Sequence, residues 1–484
     1  MVTPGHATLR SVMHRDVPLQ LRFGSAVDAV TRARIEYAFR TFCAVYELEA
    51  IVEGPASSLA RAVHYGDSEP AREADVILPA HYRPRTCSAH APAPRLVALS
   101  PNPAYARLGL EYVPAFHGDG RDVDWLGEIF EWISCADEYA LTQRDEVGRI
   151  PYTAALHGRY NLDPTVPYAS VAMFELARIL QIERPGSQTA IAASHDLDYL
   201  PISFASDLRR LVKNVAIAAL VERDPRLVAD IVIAALRGAL RGRSPLDCID
   251  AMLEGEKKRG ITSTANVICR NTCARDANYT LAQVAATLRK LEHSGAELGV
   301  HGSYMSLRDG GLGNELEALR AQGFTPCGVR AHWLRYAGDD LFSEVARLGF
   351  DYDSTVGFVN RVGFRSGASF VHRPYNFAAE APYPFFEVPL AIMDGALYTH
   401  AREAHASPRS LCDRVLDMTD AFPGGGVSVL WHNAAFEGAQ LPRAIGRLYW
   451  DLPRPTQRWT TSAQLVNDRR VCFQRAFDAP AVLR

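Results

Sequence analysis

The chain reads as an α/β protein: a deformed (β/α)7 barrel over residues 186–484, preceded by a smaller α/β accessory domain over residues 1–185. Three observations predict this. Beyond residue 186, short apolar runs alternate with stretches of helical periodicity, the pattern of a parallel sheet covered by crossover helices. Seven such runs occur, near 190–195, 261–268, 296–300, 327–331, 350–353, 385–392 and 427–431, too few for a full (β/α)8 barrel. Reactive side chains gather where those runs end, the face on which such a barrel keeps its chemistry.

Taken in order, residues 28–43 carry helical periodicity, and apolar runs follow at Leu48–Val52, Ala74–Leu78 and Leu96–Leu99, the makings of a small α/β unit. An aromatic amphipathic helix is predicted from Trp125 to Tyr139, then a polar turn around Asp145–Gly148 and a second helix over Val171–Leu180. The segment Glu183–Gln188, with its Pro185-Gly186 pair, marks the domain boundary. Helical stretches at 205–222, 226–240, 280–294, 314–322, 339–348 and 407–421 fill the intervals between the barrel strands. The apolar run Val215–Val221 falls well short of the ~20 residues a membrane span needs and reads as part of a buried helix.

A chain of 484 residues exceeds a single hydrophobic core, so two domains are expected. Hydrophobic residues at 48% and charged residues at 22% describe an ordinary globular protein, and a net charge of −3 gives no electrostatic reason to expect nucleic acid or an anionic membrane as partner. Nine cysteines without a repeated spacing argue for reduced thiols, and Cys269 and Cys273 read as ordinary thiols. The polar stretch Met1–Arg22 lacks the apolar core of a signal peptide, which predicts a cytoplasmic protein without an integral membrane segment.

The most informative peptide is Ser194-His195-Asp196-Leu197-Asp198-Tyr199-Leu200-Pro201. Strand alternation puts Asp196 and Asp198 on one face. Two neighbouring carboxylates raise each other's proton affinity unless a cation compensates, so the pair implies a metal, a general base or both; the plainer alternative is a cap on the following helix. Other predicted strands end in Val300-His301-Gly302-Ser303-Tyr304, Arg330-Ala331-His332-Trp333, Asp351-Tyr352-Asp353-Ser354 and Trp431-His432-Asn433. Asp394 closes the sixth strand and is a further cavity candidate, and Asp353 and Arg365 are candidates for a supporting pair. Tyr304, Trp333 and Trp431 fit either a sugar subsite or the core. His372, His400 and His405 read as solvated loop residues.

In their order these strings resemble the polysaccharide deacetylase superfamily (NodB homology, carbohydrate esterase family 4), in the branch with a His-Asp-Val-Asp-type first motif. The resemblance covers about residues 190–435, through Glu297–Tyr304, Arg330–Arg335, Asp351–Gly357 with Gly363–Gly367, and Leu430–Asn433. The stretch Trp125–Pro151, with Asp137-Glu138-Tyr139 and Asp145–Arg149, resembles an accessory domain that precedes barrels of that branch. The resemblance implies Asp196 as catalytic base, Arg330 as the residue orienting it and His432 as general acid. It also implies Asp198 and His301 as ligands of a divalent metal, with zinc the expected ion. The second histidine of the superfamily's ligand motif is missing, because position 305 is Met, a soft donor poorly suited to the task. His332 is the expected replacement: neighbouring strands lie about 4.8 Å apart, so a residue just beyond the fourth strand can reach a metal held at the end of the third. His195 is the alternative.

The expected function is hydrolysis of an amide C–N bond, N-deacetylation of an acetamido sugar or glycan precursor, with Tyr304, Trp333, Asp353, Arg365 and Asp394 as candidate substrate contacts. Two alternatives stay open: an amidohydrolase acting on a non-sugar small molecule, since fold does not fix substrate, and a non-catalytic glycan-binding barrel, which Met305 favours. A small-molecule or glycan partner is expected, and no nucleic acid.

Overall fold

The computed structural model describes residues 17–478 apart from 55–59, 67–74, 85–92, 121, 140, 245, 309 and 337–338. Its main sheet is parallel throughout. In spatial order its strands are Phe386–Glu387, Tyr352–Asp353, Gly328–Ala331, Glu297–Gly302, Thr264–Val267, Ala190–Asp196, Gly426–Leu430 and Leu390–Met393. The two edge strands belong to one segment of chain. Val388 N donates to Asp353 O at 2.9 Å, Leu390 N to Val356 O at 3.1 Å, and Ser428 N to Pro389 O at 2.8 Å. Segment 386–393 therefore touches both edges and closes the sheet into a deformed barrel of seven strand positions. The predicted single strand over 385–392 is interrupted at Pro389, which has no N–H to give a ladder.

Ala190–Asp196 runs through the middle of this sheet with every residue buried. Its small side chains Ala190, Ala192 and Ala193 leave room for neighbours on both sides. Gly426–Leu430 pairs along one edge, while Thr264–Val267 takes the later residues of the other edge and Arg458–Thr460 the earlier ones. The predicted helices form, at Phe204–Ala216, Pro225–Leu240, Leu281–His293, Gly311–Arg320, Asp339–Leu348 and Pro408–Ala421. Helices Ile249–Lys257, Asp394–Glu403, Arg443–Leu448 and Ser462–Phe477 were not anticipated.

The preceding residues build a four-stranded parallel sheet in the order Ala50–Val52, Leu19–Phe23, Arg61–Tyr65, Val76–Leu78, with Ala29–Val45 as its crossover helix. Asp28 caps that helix, its Oδ1 accepting the Thr31 amide at 3.0 Å. The helix expected over 125–139 is two, Trp125–Ile133 and Ala136–Tyr139, broken at Cys135, whose φ of 51° is left-handed. Ser462–Phe477 returns from the C-terminal end to pack on Ala29–Val45, with Arg40 donating to Ala476 O at 2.6 Å. One buried apolar cluster runs from Leu19 through Leu180 to Ala190–Ala193 and on to Phe473. Polar bridges reinforce it: Arg34 to Glu380 at 2.7 Å, and Arg365 to both oxygens of Glu138 at 3.0 and 2.8 Å.

Two expectations are corrected by burial. Val215–Val221 is not buried: only Ala218 of its π-helical turn faces inward, and Leu220 and Val221 are 76% and 71% exposed. An apolar run has no polar face, so its composition cannot say which side meets the core. His372 and His400 are buried rather than solvated. Among the described residues no helix is long and apolar enough to cross a membrane.

Candidate active site

Residues from the C-terminal ends of the strands meet in a cavity of about 240 Å³, whose wall includes Asp196, Asp198, His301, His332, Trp333 and His432. Asp196 is the last residue of Ala190–Asp196 and lies in register with Asn266. Its Oδ1 accepts from Asn266 Nδ2 at 2.8 Å and from Arg330 Nη1 at 2.9 Å. Asn266 has room only because its neighbour in register is Gly299: a Cβ there would stand 2.4 Å from Asn266 Oδ1. Burial alone would raise the Asp196 pKa, but His301 and Arg330 outweigh it and hold the carboxyl below its usual range.

Arg330 is fully buried in the barrel interior. Besides Asp196 it donates to Ser194 Oγ, Ser354 O, Ser354 Oγ and Ser428 Oγ, all at 2.8–3.0 Å. Serines on two neighbouring strands, Ser194 and Ser428, and Ser354 just past a third thus make a polar slot for the guanidinium in an otherwise apolar core, which meets the demand that a buried charge be paired and hydrogen-bonded.

Asp198 sits two residues on, and its Oδ1 is buried without a hydrogen-bond partner. Two imidazoles surround it: His301 Nε2 at 3.4 Å and His332 Nε2 at 3.6 Å. His301 Nδ1 is 2.9 Å from the Arg330 carbonyl oxygen, which can only accept, so Nδ1 carries a proton and Nε2 is the ring atom turned toward Asp198. His332 Nδ1 faces Asp276 Oδ1 at 3.5 Å, an outer carboxylate of the kind that orients a ligating imidazole. One ligand atom from each of Asp198, His301 and His332 lies within 4.8 Å of the others. An orphaned carboxylate oxygen facing two imidazole nitrogens suits a divalent cation of the zinc type, with three protein ligands and a side left open to the cavity.

His432 follows the strand Gly426–Leu430. Its Nδ1 is 2.7 Å from Asp394 Oδ1, its backbone amide donates to Asp394 Oδ2 at 2.8 Å, and its Nε2 points into the cavity, 3.7 Å from Asp198 Oδ2. Burial would lower its pKa, but the Asp394 charge and hydrogen bond reverse this and push it up to about 10.

The structure thus brings together Asp196, Asp198, His301, Arg330, His332 and His432. It places the candidate substrate contacts differently. Trp333 lines the cavity, 39% exposed, on a left-handed backbone (φ 64°) that costs a non-glycine residue about 1–2 kcal/mol. The other four stand elsewhere. Asp394 is fully buried behind His432, and Asp353 is fully buried against Thr355, with Thr355 Oγ1 donating to it at 2.6 Å. Arg365 pairs with Glu138 rather than with Asp353. Tyr304 is held outside the cavity between the guanidiniums of Arg275 and Arg335, 4.9 and 4.5 Å from its ring centre. His195 is enclosed between Trp431 O at 2.7 Å and Glu256 Oε1 at 2.9 Å, so neither ring nitrogen faces the ligand cluster, and Trp431 is core.

Sequence reasoning missed Asp276, Asn266, Arg149, Arg210 and Gln440. The last three line the cavity from loops and helices rather than strand ends. Asn266 had a signal, a polar residue inside an apolar strand run. Arg149 reaches in from the N-terminal part, donating to Trp333 O at 3.1 Å.

Neither a family model nor a curated protein matches the chain. Among solved structures it is similar to a protein described as a polysaccharide deacetylase from Mycobacterium smegmatis, at 16% identity and a TM-score of 0.38, covering 60% of this chain and 93% of that one. It is similar also to a peptidoglycan deacetylase from Bacillus subtilis, at 13% identity and a TM-score of 0.29, covering 60% and 98%.

Proposed function

We propose that the chain is a metal-dependent hydrolase of an amide C–N bond in the polysaccharide deacetylase superfamily, removing the N-acetyl group of an acetamido sugar or glycan precursor. The observation that carries this reading is one cavity lined by the Asp198–His301–His332 cluster, by Asp196 with Arg330 behind it, and by His432 with Asp394 behind it.

A divalent ion held by Asp198, His301 and His332 would polarise the amide carbonyl and lower the pKa of water toward about 7. The chain's own residues do the rest. Asp196, kept ionised and oriented by Arg330 and Asn266, takes the proton of the attacking water. His432, kept protonated by Asp394, delivers a proton to the departing amine from Nε2. Trp333 offers an apolar face for a sugar ring.

The test is to measure metal per chain and acetate release from N-acetylglucosamine oligomers. Asp196→Asn is expected to retain metal and lose turnover by roughly two to four orders of magnitude, since only the proton acceptor is removed. His432→Ala is expected to be less impaired on an activated ester, whose leaving group needs no proton. Metal-free protein that binds glycan and releases no acetate would overturn the reading in favour of a binding module.

A further inference from the structure

The helices Phe204–Ala216 and Pro225–Leu240, joined by the π-helical turn Ile217–Val221, stand out from the barrel with an uncovered apolar face. Their inward residues Leu211, Ala218, Leu227 and Ile231 are buried in the main core. Their outward residues repeat at four-residue spacing: Phe204, Leu208 and Val212 on one helix, Val232, Leu236 and Leu240 on the other, between 41% and 88% exposed together with Ile233. Of the sixteen large apolar residues exposed among the described ones, ten lie on this hairpin. Between the helices runs a mainly apolar groove of about 870 Å³. Patches of this kind mark an interaction surface.

Charge selects the partner. Residues 201–243 carry eight Lys or Arg against four Asp or Glu, a local net of +4 in a chain whose total is −3. The four acids are turned inward or engaged. Asp207 is buried, Glu222 pairs with Arg402 at 2.6 Å, Asp224 accepts from Tyr398 at 2.7 Å, and Asp230 accepts from the Arg443 amide at 3.0 Å. Six of the bases, Arg209, Lys213, Arg223, Arg226, Arg241 and Arg243, are exposed. A second copy packed on this face would set +4 against +4. An amphipathic pair of helices with Phe and Leu on one side and Lys and Arg around them matches the physics of interfacial docking to anionic lipid.

We propose that the hairpin 204–240 docks on an anionic lipid bilayer and seats the catalytic cavity at its surface. Tyr199 and Arg210, whose guanidinium lies 3.4 Å from the Tyr199 ring centre, line that cavity, and Leu208 and Leu211 on the same helix line the apolar groove. The cavity therefore lies beside the docked face. Resting on the hydrolase reading above, this names the substrate class as an acetamido sugar presented at a membrane, on a lipid carrier.

Co-sedimentation of the full chain with vesicles tests it without reference to hydrolysis, so either reading can fail with the other standing. The protein is expected to sediment with vesicles of equal parts phosphatidylglycerol and phosphatidylcholine, to remain in solution with phosphatidylcholine alone, and to be released by added salt. Leu236→Asp/Leu240→Asp, and separately Arg241→Glu/Arg243→Glu, are each expected to lower the partition by at least about tenfold, with circular dichroism confirming the fold. Wild-type protein that ignores the anionic vesicles, or the double Asp variant sedimenting as wild type, would overturn the proposal. So would a wild-type dimer in light scattering that the double Asp variant converts to monomer, which would assign the face to a second copy.

Discussion

Asp394 holds His432 by two atoms at once, its Oδ1 2.7 Å from the ring Nδ1 and its Oδ2 accepting the backbone amide at 2.8 Å. The carboxylate is fully buried and does not line the cavity, so it bears on the cavity only through the imidazole. It sets the orientation of Nε2 and, against the opposing effect of burial, raises the pKa of the ring.

Asp394→Asn keeps the shape and removes the charge. The folded-state pKa of His432 is expected to fall, and a general acid must be protonated, so the alkaline limb of kcat/KM is expected to move to lower pH while metal content stays unchanged. An unshifted pH profile with a uniformly lower rate would mean that Asp394 only packs.

The proposed ligand set yields a contrast among four side chains. His332→Ala is expected to weaken metal binding by an amount comparable to His301→Ala, because each removes one of the two imidazoles facing Asp198 Oδ1. Met305→Ala is expected to change it little. His195→Ala is expected to leave metal affinity intact but to lower the thermal midpoint, since it takes from the buried Glu256 carboxylate one of three partners, leaving only Tyr449 at 2.7 Å and Ser263 at 3.0 Å. Isothermal titration of the apoprotein with zinc and a thermal melt separate the two effects.

Gly299 is the place where a methyl group reaches Asp196, the proposed base, through the packing. Gly299→Ala puts a Cβ 2.4 Å from Asn266 Oδ1, and Asn266 is a donor to Asp196. The expected cost is about 1–3 kcal/mol of stability by overpacking, together with reduced turnover as Asn266 is displaced. Adding Asn266→Ser is expected to restore stability in urea unfolding without restoring turnover, because the Asp196 hydrogen bond stays lost.

The seven barrel strands were legible because a parallel strand buried on both faces is a short, mainly apolar run bounded by turns, as Ile191–Ala193 is and as Val427–Leu430 is apart from Ser428. The convergence of Asp198, His301 and His332 was legible for the same reason: once the strand ends are known, the residues just past them share one rim. What the strand pattern cannot carry is a residue brought in by a loop. Arg149 and Gln440 stand at no strand end, and the partner of Arg365, Glu138, lies 227 residues away, while nearby Asp353 takes other neighbours. Whole-chain charge also hid the hairpin, whose +4 is cancelled elsewhere in a total of −3.

That Arg365–Glu138 pair ties the N-terminal part of the chain to the barrel. Both side chains are buried, with two hydrogen bonds between them, and Arg365 also donates to Gly357 O at 3.1 Å, beside the bridge where Gly357 meets Leu390. Removing one partner leaves a desolvated charge, so Arg365→Met is expected to cost about 3–5 kcal/mol. Neutralising both, as Arg365→Met/Glu138→Gln, is expected to recover most of that loss, because the penalty lies in the unpaired charge rather than in the absent bond. Chemical denaturation of the two variants would read the difference directly, and equal destabilisation in both would show that the pair's geometry, not its charge balance, holds the N-terminal part against the barrel.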